Sequence, residues 1–260
     1  MSTVKRQDWN PSAYSKFRSL RMRPALDLLQ SVPSIGGGAL VDLGCGNGVL
    51  GNALKERFGG HSLHGVDASP AMLAEAEKLG CYDTLLEADA ASWRGKEPLG
   101  LIFSNAALHW LPDHEELLPK LVAMLGQGGT LAVQVPHQNN APSHRVWRSL
   151  MEEMFPDRCE PSEAPGVLKP AHYHALLSGL GQLSLWETEY YQVLESEAGS
   201  HPVRRFTEAT YARPFLQALD DGEKASIIGR YEAVMEKAYP RDANGRVLFP
   251  FRRLFFTLTV

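Results

Sequence analysis

Between residues 36 and 135, short apolar runs that close on a polar residue alternate with stretches whose apolar positions recur every three or four residues. Ala39 to Leu43 is the first such run, and it leads into Asp42-Leu43-Gly44-Cys45-Gly46-Asn47-Gly48. A helix is expected from there through Phe58, stopped by Gly59-Gly60. Ser62 to Val66 reads as a second strand ending at Asp67, after which Ser69 caps a helix with Pro70 at its first position. Thr84 to Ala88, ending at Asp89, and Leu99 to Ser104, ending at Asn105, read as the next two strands. Asp113 followed by Glu116 predicts a capping box, opening a helix with Leu117, Leu118, Leu121, Val122 and Leu125 on one face. Gly128-Gly129 ends that unit, and Thr130 to Val135 is expected as the fifth strand. Strands and helices alternating over short links predict a parallel sheet covered on both faces.

After Pro136 the rhythm changes. Residues 142 to 155 and 170 to 179 read as helices, and 203 to 238 as two or three more, with Pro214 at a helix start. Leu183 to Leu194 and Val247 to Val260 are β-rich and are expected to pair as antiparallel edge strands. The expected fold is α/β: a Rossmann-like, mostly parallel seven-stranded sheet with helices on both faces and a helical insertion before the last strand. One domain is expected over residues 1–260, with a core at about 25–195 and 246–260. The insert, at about 196–245, is expected to lie over the carboxyl edge of the sheet.

Composition narrows the function. The 260 residues are 44% hydrophobic and carry a net charge of −4, so no global basic field favours nucleic acid or an acidic membrane. No basic stripe is present either, and no stretch approaches the roughly 18 apolar residues that span a bilayer. The N-terminal MSTVKRQDWNPS lacks the apolar run of a signal peptide, and the three cysteines, Cys45, Cys81 and Cys159, form no C-x-x-C pair. A cytoplasmic protein is expected, without an obligate protein partner. His172-x-His174 and His61-x-x-His64 lack a third ligand at a sensible spacing, so no metal site is expected.

In an open parallel sheet, ligands bind beyond the carboxyl ends of the strands. Here those ends carry the glycine loop, Asp67, Asp89 and Asn105 in register. Carboxylates in such places accept hydrogen bonds from ribose hydroxyls or a base amino group. Gly46-x-Gly48-x-x-Gly51 matches the dinucleotide fingerprint, which keeps an NAD(P)-dependent oxidoreductase open. That frame starts late, however, because the strand has already ended at Leu43. Read from the strand end the loop is D-x-G-x-G-x-G, which suits S-adenosylmethionine (SAM) better, and the acid at the third strand suits an adenosine lying across three strands. A non-catalytic SAM-binding module is a further alternative.

The segments DLGCGNG (42 to 48), GVDASPAMLAEA (65 to 76), EAD (87 to 89) and SNAALHWLPDH (104 to 114) resemble class I SAM-dependent methyltransferases. With DWNPSAY (8 to 14), RMRP (21 to 24), EYY (189 to 191), RPFLQAL (213 to 219) and RRLF (252 to 255), the chain resembles more narrowly the trans-aconitate methyltransferases. The resemblance implies methylation of one carboxylate of this small tricarboxylate, releasing S-adenosylhomocysteine, with another small acid or an amine as the alternative acceptor. It implies Gly44 and Gly46 at the methionine part of SAM, Asp67 at the ribose, Asp89 and Ala90 at the adenine, and Asn105 on the floor of the site, with Cys45 and Ala68 also binding the cofactor. Asn47 stands where many relatives carry proline or serine, and Phe251 where the family pattern has proline.

Such chemistry needs no dedicated acid or base, because a carboxylate is already ionised at pH 7. The demands are alignment, water exclusion and cations that hold the non-reacting carboxylates. Arg21, Arg23, Arg213 and Arg253 are the candidates for that role, although each alone is more often a solvated surface residue. Trp9, Tyr14, His109, Trp110 and Tyr190 are the polar-tipped aromatics expected near the acceptor, with core packing as the competing role for Trp110 and Tyr190.

Overall fold

A computed structural model describes residues 18–95, 97–158, 166–196, 199–208 and 210–260, the side chains of 18–21 excepted. Seven strands form one sheet among these residues: β1 (Ala39–Leu43), β2 (Leu63–Asp67), β3 (Thr84–Glu87), β4 (Leu99–Asn105), β5 (Leu125–Pro136), β6 (Gln182–Leu194) and β7 (Val247–Thr259). Their order is β3-β2-β1-β4-β5-β7-β6. The chain winds outward from β1 in both directions, and pairs β1–β2, β2–β3, β1–β4 and β4–β5 are parallel. β7 runs antiparallel to β5: Gly128 and Gly129 bond to Val260, whereas His137 at the far end of β5 bonds to Arg252. β7 therefore lies inside the sheet and only β6 is the edge on that side, which corrects the expectation of two edge strands. Residues 254–258 of β7 are buried at every position, as an interior strand requires.

The chain divides into two compact units. The first comprises residues 1–136, 166–187 and 254–260. Val41 and Leu43 point to one face of its sheet, with Ile102, Leu131 and Val133, and helix His114–Val122 buries Leu117, Leu118, Leu121 and Val122 in the same cluster. Helix Pro170–Leu177 adds Tyr173 and Leu177, so this face is a continuous apolar layer. The other face receives Leu40 and Leu63 from alternate positions.

The second unit comprises residues 137–165 and 188–253, which adds helix Pro142–Met154 and the outer parts of β6 and β7 to the expected insert. Its core is aromatic. Trp147 of helix Pro142–Met154 stacks on Tyr231 of helix Asp221–Ala238 at 3.9 Å, and Trp147 Nε1 donates to Thr207 Oγ1 of helix Pro202–Glu208 at 3.0 Å. Tyr231 donates its hydroxyl to the Ser143 carbonyl at 2.8 Å, so both polar tips in this core are satisfied.

One local expectation was wrong and one helix went unread, each for an identifiable reason. The capping box at Asp113 does not form: Asp113 takes a left-handed φ of 55°, and its side chain makes no cap bond. A capping box needs extended backbone at the cap, which this φ excludes. The motif forms instead at Asp220 and Glu223, where side chain and backbone bond reciprocally at 2.9 Å. Helix Arg18–Ser31 was not anticipated, because Pro24 interrupts its pattern. Urea unfolding should separate the two aspartates. Asp220→Ala is expected to cost about 1 kcal/mol, whereas Asp113→Gly relieves an unfavourable φ and raises stability by up to about 1 kcal/mol.

Candidate functional site

The glycine loop leaves β1 at Leu43 and turns sharply. Gly44, Gly46 and Gly48 all take positive φ, at 78°, 54° and 76°. A β-carbon at Gly44 would overlap that of Ala107, so glycine is required there by space as well as by conformation. Gly46 faces open space, with nothing within 4 Å of the place a β-carbon would occupy.

Asp67 ties the loop to the next strand. One of its carboxylate oxygens accepts from Gly46 N at 2.8 Å and the other from Ser69 N at 2.9 Å. A carboxylate offers about four acceptor positions, so these two bonds do not by themselves exhaust it. Ser69 also caps helix Pro70–Glu77 by accepting from Met72 N at 3.2 Å, as expected. Ala68 is exposed beside it. Asp89 is exposed, and one oxygen accepts from Ala91 N at 2.9 Å while its partner oxygen is left to solvent or ligand.

Asn105 closes β4, followed by Ala106 in a left-handed conformation at φ 52°. Such strain in a non-glycine residue persists where the surroundings over-determine it, commonly at ligand sites. Asn105 Oδ1 is buried and has no hydrogen-bond partner, and Gln134 Nε2, on the residue paired with it in β5, is likewise buried and unpartnered. An unsatisfied buried polar atom costs about 1–3 kcal/mol unless a ligand completes it. Asn105 thus offers an acceptor and Gln134 a donor on neighbouring strands. Gln134 was missed in the sequence because it interrupts an otherwise plain apolar strand, Leu-Ala-Val-Gln-Val.

Asp42 was passed over as the residue before the turn, yet it is buried to 2% exposure. Burial pushes its carboxyl up to about 7, the Tyr82 hydroxyl bonded to it at 2.8 Å pulls the other way, and the Asp67 charge raises it further. An acid whose folded pKa lies above its ordinary value binds more protons folded than unfolded between those two values. Stability is therefore present at low pH and lost as pH rises from about 4 to about 7. Asp42→Asn should flatten that segment of a stability–pH curve and gain about 2–4 kcal/mol at pH 8, measured by urea unfolding at pH 5 and pH 8.

The remaining candidates divide between the units. In the first, Arg23 is exposed and paired with Asp27 at 2.7 Å. His109 is buried in a 3-10 turn with its ring 4.6 Å from that of Trp110, and its carbonyl accepts from Gly166 N. In the second, Tyr190 and Arg213 are partly buried, and Arg253 is buried to 4% exposure with its guanidinium 4.1 Å from the Phe251 ring centre. Phe251, the departure from the family pattern, thus stacks on the arginine it neighbours. Trp9, Tyr14 and the side chain of Arg21 lie outside the described residues.

A further group joins Arg253. His144 is buried, accepts or donates at Nδ1 with Ser143 Oγ at 3.0 Å, and packs 4.6 Å from the Tyr211 ring. Burial, then the Arg253 charge, holds its imidazole down at about 3, so it is neutral at physiological pH. Sequence alone gave no hint of it, because His144 shares a helix face with Trp147 and Met151 at ordinary core spacing.

Comparison with known proteins agrees with this geometry. Residues 40–129 match the family model described as a methyltransferase domain. Over 95% of its length the chain is 39% identical to trans-aconitate 2-methyltransferase of Escherichia coli O17:K52:H18, covering 96% of that enzyme, and equally so to that of Shigella flexneri. The chain belongs to the trans-aconitate 2-methyltransferase family. Its members are SAM-dependent methyltransferases. The fold matches the YcgJ protein of Bacillus subtilis, at 15% identity, TM-score 0.58 and coverage of 91% of this chain and 98% of that one. It also matches a Haemonchus contortus phosphoethanolamine N-methyltransferase in complex with SAM, at 16% identity and TM-score 0.52, covering 91% of this chain and 52% of that one. Among the described residues no helix is long and apolar enough to cross a membrane, and no three His, Cys, Asp or Glu side chains gather to hold a metal.

Proposed function

We propose that the protein esterifies one carboxylate of trans-aconitate with the methyl group of SAM, giving the monomethyl ester and S-adenosylhomocysteine, in the cytoplasm. The named activity of relatives matched over 95% of the chain supports the acceptor. The observation that carries it is Arg253, a cation buried to 4% exposure in the unit that lies outside the matched methyltransferase domain. A buried guanidinium suits a carboxylate in two parallel bonds.

The residues present fit SAM. Gly44, Cys45 and Gly46 would receive the methionine part, with the unpartnered Asn105 Oδ1 accepting from its ammonium group. Asp67 would hold the ribose hydroxyls with Ala68 beside them, and Asp89 and Ala90 the adenine. When bound, SAM supplies an electrophilic methyl on a positively charged sulfur. The protein's part is to hold, orient and keep dry. Arg253 would fix a non-reacting carboxylate, with Arg213, in the same unit, as a second anchor and Tyr190 of that unit beside the acceptor. The reacting carboxylate needs no base, and a strong ion pair there would only weaken it as a nucleophile.

Acceptor preference tests this assignment. Across a panel of mono-, di- and tricarboxylates, kcat/KM is expected to be highest for trans-aconitate and to drop by at least about tenfold for each anchoring carboxylate removed, as loss of a charged hydrogen bond dictates. Equal turnover of monocarboxylates, or turnover of an amine instead, would sink it.

A further inference from the structure

Three glycines near the cofactor loop have a common neighbour that the proposed function does not use. A β-carbon at Gly48 would lie 3.0 Å from Cε2 of Tyr82, one at Gly51 would lie 2.8 Å from Cε2 and Cζ, and one at Gly65 would lie 3.0 Å from Cδ1. The Tyr82 ring thus occupies a slot that exists because these positions carry no side chain. Gly48 and Gly51 belong to the loop and the helix after it, and Gly65 is the β2 residue paired with Asp42. At the end of the slot the Tyr82 hydroxyl donates to Asp42 Oδ2 at 2.8 Å.

Among the described residues no cation is set against Asp42. The groups acting on it are the Tyr82 hydroxyl from the segment before β3 and the like charge of Asp67 at the end of β2. It in turn acts on the thiols of Cys45, in the loop, and Cys81. Lys55, on helix Gly51–Arg57, is engaged at 2.5 Å with Asp83. A buried acid facing a second acid is a place where a bound cation gains and where the acid otherwise holds a proton. SAM carries a cationic sulfonium and an ammonium group.

We propose that Tyr82 is a positioning residue of the cofactor site: seated in the three-glycine slot, it holds the Asp42 carboxyl in place and ionised, so that the loop that follows it receives a cationic ligand. This rests on the assignment of the glycine loop and Asp67 to SAM. Its consequence is a pH dependence of SAM binding that Tyr82 tunes. With Asp42 titrating near 7, affinity rises as pH rises through that value, because the ionised form is the one that attracts the cation. Removing the hydroxyl removes a bond that favours the ionised form, so the rise moves to higher pH.

The test is calorimetric titration of SAM into the full-length protein at half-unit steps from pH 6 to pH 9. Wild type, Tyr82→Phe, Asp42→Asn and Asp67→Ala are compared. The ligand's own amino group titrates identically against every variant and cancels from the ratio of their Kd values. Tyr82→Phe keeps the ring in its slot, and its Kd is expected to exceed that of wild type by about five- to tenfold at pH 7 and to converge on it by pH 9. A ratio that stays constant across pH would show that Tyr82 only packs, and a ratio of one throughout would show that it does neither. Asp42→Asn is expected to bind weakly at every pH and to lose the wild-type rise; retention of that rise would overturn the proposal. Asp67→Ala with unchanged affinity would instead remove the cofactor assignment itself, independently of Tyr82.

Discussion

Asp67→Ala is expected to weaken SAM binding by about 10²–10³-fold, the largest single effect in the cofactor site. Two losses combine. The ribose would lose the charge-assisted bonds proposed for Asp67, each worth about 1.5–3 kcal/mol. The loop also loses its anchor, because the two Asp67 oxygens bind Gly46 N and Ser69 N. Asp67→Asn separates these contributions, since it keeps one acceptor oxygen while discarding the charge. It should fall between wild type and alanine. Calorimetry gives the Kd directly, and an alanine variant within threefold of wild type would take Asp67 out of the site.

The second large effect falls on the acceptor. Arg253→Met keeps length and apolar contact with the Phe251 ring but removes the guanidinium. Losing one partner of a buried charge pair costs about 2–5 kcal/mol, so the KM for the acid should rise by roughly 30- to 5000-fold. The Kd for SAM should change less than about twofold, because every residue assigned to the cofactor lies in the first unit and Arg253 in the second. The split between the two constants carries the information. An unchanged acid KM would release Arg253 from the substrate, and a matching loss of SAM affinity would mark it as structural.

His144 sets a condition on that result. Its imidazole is neutral in part because Arg253 is positive beside it. Removing Arg253 lifts that repulsion and moves the imidazole back toward its ordinary range.

The strand–turn–strand geometry around the glycine loop was legible in the sequence because it is carried by short-range features. A strand of five residues, a turn needing positive φ and an acid at the next strand end all fall within about thirty residues, and Ala39–Leu43 was placed to the residue. Gly51 shows the limit of such reading. It completes a dinucleotide fingerprint in the sequence, whereas in the fold it makes room for Tyr82 and Cys81. A glycine's spacing cannot say which distant side chain lies against it. Tyr82, in a short polar link, had no pattern to mark it, and His144 was hidden by a helix face that reads as core. Capping shows the same limit. Asp113-x-x-Glu116 and Asp220-x-x-Glu223 are equivalent as strings, and only the backbone entering each helix decides which one caps. The position of β7 between β5 and β6 depends on pairing across more than a hundred residues, beyond any local period.

The reaction we propose is methyl transfer from SAM to a carboxylate of trans-aconitate. It is tested most directly by incubating the protein with SAM labelled in its methyl group and trans-aconitate, then treating the product with mild base. Label in a monomethyl ester of the acid, released quantitatively as methanol, is the predicted result. Label that stays on the product through base, or no transfer to trans-aconitate while another class of acceptor is labelled, would contradict it.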